Sequence, residues 1–225
     1  MSDDFDFASQ IAFGSDSFAD NPDPRVPCLL LLDTSGSMRG APIQALNEAL
    51  QVFRDEILND SLATKRVEIG IITFGPVQIV TEFTSPDTFI TPMLVAQGDT
   101  PMGGAIQAGL KMLNDRKEEY KRNGISYYRP WVFLLTDGSP TDDWMTAAEL
   151  IKEGEQEKAL AFFPVAVEGA SMSILRKLAV REPLKLQGMK FREFFLWLTA
   201  SMSGVARTEP GMTVPLESPK GWAEL

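Results

Sequence analysis

Two hydrophobic spacings alternate along the chain from Val26 onward. Residues 29–32 form a continuous apolar run, which is typical of a strand that is covered on both faces. Residues 67–74 predict another strand, and Gly75-Pro76 predicts a tight antiparallel turn into a shorter strand at 77–83. Between the first two strands, apolar residues recur every three or four positions and predict an amphipathic helix; they are Ile43, Leu46, Leu50, Phe53 and Ile57.

The rest of the chain continues this alternation of strands and helices. We expect a helix that Thr141 or Asp142 caps and that runs to about Lys158. Pro164 has no backbone N–H to donate, and it therefore weakens the prediction of the strand around it. The remaining predicted elements are strands at 131–135, 160–167 and 184–186 and helices at 103–121, 171–179 and 189–202.

Strands that alternate with helices predict an α/β fold with right-handed crossovers. We expect a mostly parallel six-stranded sheet in the order 3-2-1-4-5-6, with strand 3 antiparallel and helices on both faces. The predicted organisation is an acidic N-terminal arm at 1–25, one domain at 26–203, and a C-terminal tail rich in proline and glycine at 204–225.

Charge narrows the choice of partner. The 225 residues include 21 Lys and Arg against 31 Asp and Glu, which gives a net charge of −10, and the arm holds six aspartates and one arginine. Such a chain repels phosphate backbones and anionic lipid, so we expect neither nucleic acid nor a membrane as partner. The start Met1-Ser2-Asp3-Asp4 lacks the basic and apolar segments of a secretory signal, and we expect a cytoplasmic protein.

Two residue types limit the chemistry. Histidine is absent, which excludes a Ser–His–Asp triad and any histidine-ligated zinc or iron site. The single cysteine, Cys28, lies in an apolar run and cannot form an internal disulfide, so we interpret it as a buried structural thiol.

Polar residues follow the predicted strands where an open α/β sheet binds its ligands, beyond the carboxyl ends of strands 1 and 4. Strand 1 runs into Asp33-Thr34-Ser35-Gly36-Ser37, and alternate positions in an extended loop place the oxygens of Asp33, Ser35 and Ser37 on one side. Strand 4 runs into Asp137, and a third loop supplies Thr100 before a helix.

Ligands that offer only oxygen select a hard cation, Mg²⁺ first, with Mn²⁺ or Ca²⁺ as substitutes. If the hydroxyls of Ser35, Ser37 and Thr100 bind directly while Asp33 and Asp137 act through waters, no protein charge touches the ion. A carboxylate from another molecule is then the natural sixth ligand. Asp99 is an alternative to Thr100, but a charged ligand would weaken the attraction for that partner.

The DTSGSM motif, Thr100 and Asp137 resemble the metal-ion-dependent adhesion site of von Willebrand factor A (VWA) domains. This resemblance implies a Rossmann-like VWA fold and a metal-dependent protein-binding module that is not an enzyme, with a partner protein that donates an Asp or Glu.

The chain further resembles the bacterial, tellurite-resistance-associated TerY-like branch of that family, over about residues 26–222. The segments that carry this resemblance are LLLLDTSGSMRGAPIQALNEAL, GDTPMGGAI, RPWVFLLTDGSPTDDW, FFPVAVEGA and FREFFLWLTASMSGVAR. It implies a cytoplasmic stress-response or defence role beside a protein phosphatase and a Ser/Thr kinase. The branch offers no counterpart for the acidic arm.

Three alternatives stay open at this stage. Asp33, Ser35 and Ser37 taken singly could be turn residues that bond their own backbone. A Mg²⁺-dependent phosphatase-like hydrolase could use Asp33 as its nucleophile, although Ser35 stands where the acid/base aspartate would be needed. An aspartate of the arm could occupy the open metal position, and a solvated arm is the simpler interpretation.

Overall fold

The fold is that of a computed structural model, which describes Phe18, residues 20–212, Ser218, Pro219 and residues 221–224. The strands are β1 (Val26–Asp33), β2 (Val67–Phe74), β3 (Gln78–Thr84), β4 (Trp131–Thr136), β5 (Ala161–Ala166), β6 (Leu184–Leu186) and β7 (Ala223–Glu224). The helices are α1 (Ala41–Leu58), α2 (Ser61–Arg66), α3 (Met102–Arg122), α4 (Met145–Gln156), α5 (Met172–Leu178) and α6 (Phe191–Ala206), and a 3₁₀ turn spans Gly36–Met38.

The sheet has the predicted strand order. Its strands run β3-β2-β1-β4-β5-β6-β7, so the expected order 3-2-1-4-5-6 is confirmed. β3 is antiparallel to β2, whereas β2, β1, β4, β5 and β6 pair in parallel. The two-residue β7 extends the sheet by an antiparallel pair with β6, which the irregular composition of the tail did not predict.

Helices cover both faces of the sheet because the strand side chains alternate. In β1, Cys28, Leu30 and Leu32 join the core beneath α1 and α6, while Leu29 and Leu31 join the core beneath α3, α4 and α5. Every residue of β1 is buried, as the continuous apolar run predicted. Burial also raises the pKa of the Cys28 thiol, which agrees with a structural role.

Pro164 lies in β5 after all. It pairs with Leu134 of β4, whereas β6 begins to pair with β5 only at Val165. Beside Pro164 the strand is therefore an edge, where a proline is tolerated.

The start and the end of the described chain both pack onto the domain. Trp222 is buried, and its ring centroid lies 5.1 Å from those of Phe194 and Trp197 on α6. Phe18 is buried against Tyr120 of α3. Among the described residues, no helix combines the length and the apolar composition that crossing a bilayer requires.

Candidate metal centre

The five predicted site residues meet at the carboxyl end of the sheet. Asp33 is the last residue of β1, and Thr136, the last residue of β4, follows the pair Leu32 and Leu135 in register. Thr136 therefore lies beside Asp33, and its hydroxyl donates to Asp33 Oδ2 at 2.5 Å. Thr136 had no predicted role, because its position beside Asp33 depends on the register of β1 against β4.

A chain of hydrogen bonds links the first loop to the Asp137 loop. The Ser35 N–H donates to Asp33 Oδ1 at 2.8 Å, and the Ser35 and Ser37 hydroxyls lie 3.0 Å apart. The Ser37 hydroxyl then donates to Asp137 Oδ1 at 2.7 Å. Among these bonds, the one from the Ser35 N–H to Asp33 is the local bond to backbone that ordinary turn residues would make. The two serine hydroxyls instead bond each other, and Ser37 bonds Asp137, which lies 100 positions away.

Thr100 faces the same point. A Cβ built on Gly138 would lie 3.3 Å from Thr100 Oγ1 and 3.9 Å from Asp33 Oδ2, so this glycine leaves the space between the two oxygens open. Thr100 is buried, whereas its neighbour Asp99 is exposed, which favours Thr100 as the ligand of the third loop.

Close backbone packing brings these loops together. The Gly36 N–H donates to the Gly98 carbonyl at 3.0 Å, and the Gln97 N–H donates to the Thr34 carbonyl at 2.7 Å. Gly98 has a φ of +72°, and a Cβ built there would lie 2.6 Å from the Gly75 carbonyl oxygen. A side chain at position 98 would therefore separate the loops.

The segment after Asp137 differs from the predicted cap. The Thr141 N–H donates to the Thr100 carbonyl at 3.0 Å, and the Thr141 hydroxyl accepts from the Thr100 N–H at 3.1 Å. Asp142 accepts from the N–H groups of Gly103 and Gly104 at 2.9 and 2.7 Å, so it caps α3. It is Asp143 that accepts from the Met145 N–H at the start of α4, and the prediction that Thr141 or Asp142 caps this helix was wrong.

The electrostatics of Asp33 are unusual for a buried acid. Its side chain is fully buried, and it accepts only from the neutral donors of Ser35 and Thr136. Burial raises the pKa of Asp33 above its ordinary value; the hydrogen bonds from Ser35 and Thr136 oppose this shift, and the charge of Asp137 adds to it. In the described part of the chain, no ion pair joins Asp33 or Asp137 to a lysine or arginine.

The donor set suits a hard cation. Three neutral hydroxyls and two carboxylates offer oxygen only, which is the chemistry of a Mg²⁺, Mn²⁺ or Ca²⁺ site. Within the described residues there is no group of three or more Asp, Glu, Cys or His side chains that could hold a metal, so a site here depends on hydroxyls. Ser37 is exposed and Asp137 is half-buried, so this point is open to solvent on one side.

Comparison with known proteins agrees with the fold. A model of the von Willebrand factor type A domain matches residues 29–185, and the chain therefore belongs to this family. Domains of this family often mediate protein–protein interaction. No curated protein matches the chain.

Three solved structures illustrate the similarity. Proximal thread matrix protein 1 from the mussel byssus is 13% identical with a TM-score of 0.56, over 81% of this chain and 49% of that one. The open conformation of the pilus adhesin SpaC from Lactobacillus rhamnosus GG is 13% identical with a TM-score of 0.65, over 81% and 30%. The manganese-loaded TRAP protein of Plasmodium vivax is 19% identical with a TM-score of 0.53, over 78% and 73%.

The chain thus spans about half the length of the mussel protein and less than a third of the adhesin. At these identities the similarity establishes the fold alone.

Proposed function

We propose that the chain is a protein-binding module of the metal-ion-dependent adhesion type, and that it is not an enzyme. The hydroxyls of Ser35, Ser37 and Thr100 would hold one divalent cation, Mg²⁺ or else Mn²⁺ or Ca²⁺, and Asp33 and Asp137 would act through waters. When bound, the ion would offer an open coordination position to an Asp or Glu carboxylate of a partner protein.

One observation carries this proposal: Asp33 is a buried carboxylate that accepts only from neutral donors. A buried charge without compensation is costly, and a bound cation would relieve that cost. The neutral hydroxyls gathered beside it at Ser35, Ser37 and Thr100 leave the positive charge of a bound ion available to a partner. The similar TRAP protein of Plasmodium vivax has a manganese-loaded crystal structure, which supports a metal in a domain of this fold.

Direct metal binding is the first test. We expect titration calorimetry with MgCl₂, or electron paramagnetic resonance with Mn²⁺, to show one site in the wild-type chain and a loss of binding in Ser37→Ala and Asp33→Ala. Asp87→Ala is a matched control, since Asp87 is exposed and distant in sequence from the three loops. Equal Mn²⁺ binding by the wild type and both site variants would refute the site.

Partner binding is the second test. A tagged chain should retain its partner protein in Mg²⁺ and release it in EDTA. Ser37→Ala should release the same partner even in Mg²⁺, because the exposed hydroxyl of Ser37 would no longer hold the ion. Retention of the partner in EDTA would show that its recognition needs no metal.

We also propose the finer assignment to the TerY-like branch, in the bacterial cytoplasm and within a stress-response or tellurite-resistance system. The motif segments quoted above support it, with LLLLDTSGSM at the strand end and RPWVFLLTDGSPTDDW at β4. Co-purification with a protein phosphatase and a Ser/Thr kinase encoded by adjacent genes would test this assignment, and a cell that lacks the gene should become more sensitive to tellurite. Unchanged tellurite sensitivity would count against the stress role.

A Mg²⁺-dependent hydrolase that uses Asp33 is the alternative function. Both oxygens of Asp33 accept hydrogen bonds, and its side chain is fully buried, so the carboxylate is poorly placed to attack a phosphate. Phosphatase and ATPase assays with Mg²⁺ should show no turnover. Turnover that Asp33→Asn abolishes would overturn the proposal in favour of an enzyme.

A further inference from the structure

A pocket of about 880 Å³ lies at the amino end of the sheet, opposite the three loops that carry Asp33–Ser37, Thr100 and Asp137, which we call the metal loops after their proposed role. We call it the basic pocket; its aromatic lining includes Trp131 and Phe163, and its cations include Lys117, Lys121, Lys158 and Arg181. Trp131 and Phe163 are the first residue of β4 and a central residue of β5, and their rings meet edge to face at 6.2 Å. The pocket therefore combines an apolar surface with positive charge.

The positive charge is notable in a chain with a net charge of −10. Five cations line the basic pocket, and among its described lining residues there is no Asp or Glu. Glu155 pairs with Arg129 and Arg181, and Glu118, which lies outside the lining, pairs with Lys121 at 2.7 Å. Both side chains of the Lys121 pair are more than half exposed, so this pair is weak and another carboxylate can replace Glu118. Lys158 is exposed and lies in the left-handed region with a φ of +57°. Such a surface favours a ligand that is both acidic and apolar.

The chain carries a segment of that composition. Residues 1–17 contain four aspartates, no lysine or arginine, and three phenylalanines. Their aspartates are Asp3, Asp4, Asp6 and Asp16, and their phenylalanines are Phe5, Phe7 and Phe13.

This segment joins the domain beside the basic pocket. Phe18, the next residue, lies with its ring centroid 5.9 Å from that of Tyr120 and 4.8 Å from the Arg116 guanidinium carbon. The Tyr120 ring lies 5.3 Å from the ring of Tyr127, which lines the pocket. The Arg25 N–H also donates to the Ser126 carbonyl at 2.9 Å. Two ring contacts therefore separate the end of the acidic segment from the pocket.

We propose that residues 1–17 bind in the basic pocket of their own chain. Their carboxylates pair with Lys121 and Lys158, and their phenylalanine rings pack on Trp131 and Phe163. Seventeen extended residues span about 56 Å, so the segment easily covers the distance from Phe18. The eight residues of β1 span about 26 Å between Val26 and the loop after Asp33, so the end of the segment at Phe18 lies nearer to the basic pocket than to that loop.

A spin label on the segment tests this directly in the full-length chain. A nitroxide attached to Ser9→Cys reports its own position, because Cys28 is fully buried and does not compete for the label. We expect a selective loss of amide cross-peak intensity at Tyr127, Tyr128 and Trp131, measured against the reduced, diamagnetic label. Loss centred on Gly138, or no selective loss, would overturn the proposal.

Charge reversal provides the matched control. Lys121→Glu/Lys158→Glu should restore the lost intensities, whereas Lys152→Glu/Lys177→Glu, with the same charge change outside the pocket, should not. Raising the salt concentration in the unmutated protein should also restore them, which covers the case in which a variant fails to fold. A mixture of spin-labelled and isotope-labelled chains should show no intensity loss; a loss in that mixture as large as in the chain that carries both labels would overturn binding within one chain.

Discussion

The two ends of the sheet each bury a carboxylate, and they treat it in opposite ways. Glu68, at the amino end, pairs with Arg25 at 3.1 Å and with Arg116 at 2.7 Å, and it accepts the Tyr120 hydroxyl at 2.6 Å. Asp33, at the carboxyl end, accepts from the neutral donors of Ser35 and Thr136, and no ion pair in the described part of the chain reaches it. The described chain thus neutralises one buried charge with its own cations and gives the other neutral donors alone; under the proposed function, a cation from solution would neutralise the second.

The largest expected effect is at Glu68. In Glu68→Gln the amide would leave Arg25 buried without a compensating charge and Arg116 with Glu119 as its remaining acidic partner, and breaking such a buried pair costs about 3–5 kcal/mol. Urea unfolding should show this loss equally in Mg²⁺ and in EDTA, because the cluster lies far from the metal loops. A loss of unfolding free energy below about 1 kcal/mol would mean that the Glu68 ion pairs contribute little to stability.

Metal addition should stabilise the other end. At a Mg²⁺ concentration 100 times the dissociation constant, linkage raises the unfolding free energy of the wild type by about 2.7 kcal/mol. The same titration on Glu68→Gln should give an equal increment. Thermal unfolding curves that do not move with Mg²⁺ would contradict the contrast between the two carboxylates.

Thr136→Val tests the neutral donors that hold Asp33. Valine keeps the shape of threonine but removes the hydroxyl from Asp33 Oδ2, and a buried acceptor without a partner costs about 1–3 kcal/mol. We expect this loss in EDTA-treated protein, together with weaker Mn²⁺ binding. Thr34→Val, at the buried threonine that follows Asp33 in the chain, is a control for the substitution itself. A stability of Thr136→Val equal to the wild type would show that this bond contributes little.

Asp33→Asn should have the smallest effect on stability. In EDTA the amide removes an uncompensated charge while the Thr136 hydroxyl can turn to accept from it, so stability should stay level or rise by up to about 1 kcal/mol. Metal binding should be lost in the same variant. Comparison of the urea midpoints of Asp33→Asn and Glu68→Gln measures the contrast with one chemical change at each end. Equal losses of stability in the two variants would contradict the difference between the two buried carboxylates.

Periodicity predicted most of the sheet because its strands are bounded by clear turn residues and buried on both faces. It missed β7, whose two residues pair with β6 directly after Trp222, which packs on α6, and both are long-range contacts with no local signal. It also missed α2, a six-residue helix that Asp60 caps through the N–H groups of Leu62 and Ala63.

At the candidate site, the loops and their oxygens could be predicted because each follows a strand or precedes a helix. The role of Thr136 could not, since it depends on the register of β1 against β4. Asp142 could not be assigned for a similar reason: its carboxylate crosses to the start of α3, 38 residues earlier in the chain. Contacts between loops need the tertiary arrangement, whereas donor types within one loop do not.

Helix α3 connects the two ends of the sheet. Asp142 binds its first turn at Gly103 and Gly104, and Lys117 and Lys121, which line the basic pocket, lie about 21 and 27 Å further along the helix. A helix of this length behaves as a stiff rod. Any rearrangement that draws the Thr100 loop inward would therefore displace these lysines as well, and events at the two poles of the molecule would be mechanically linked.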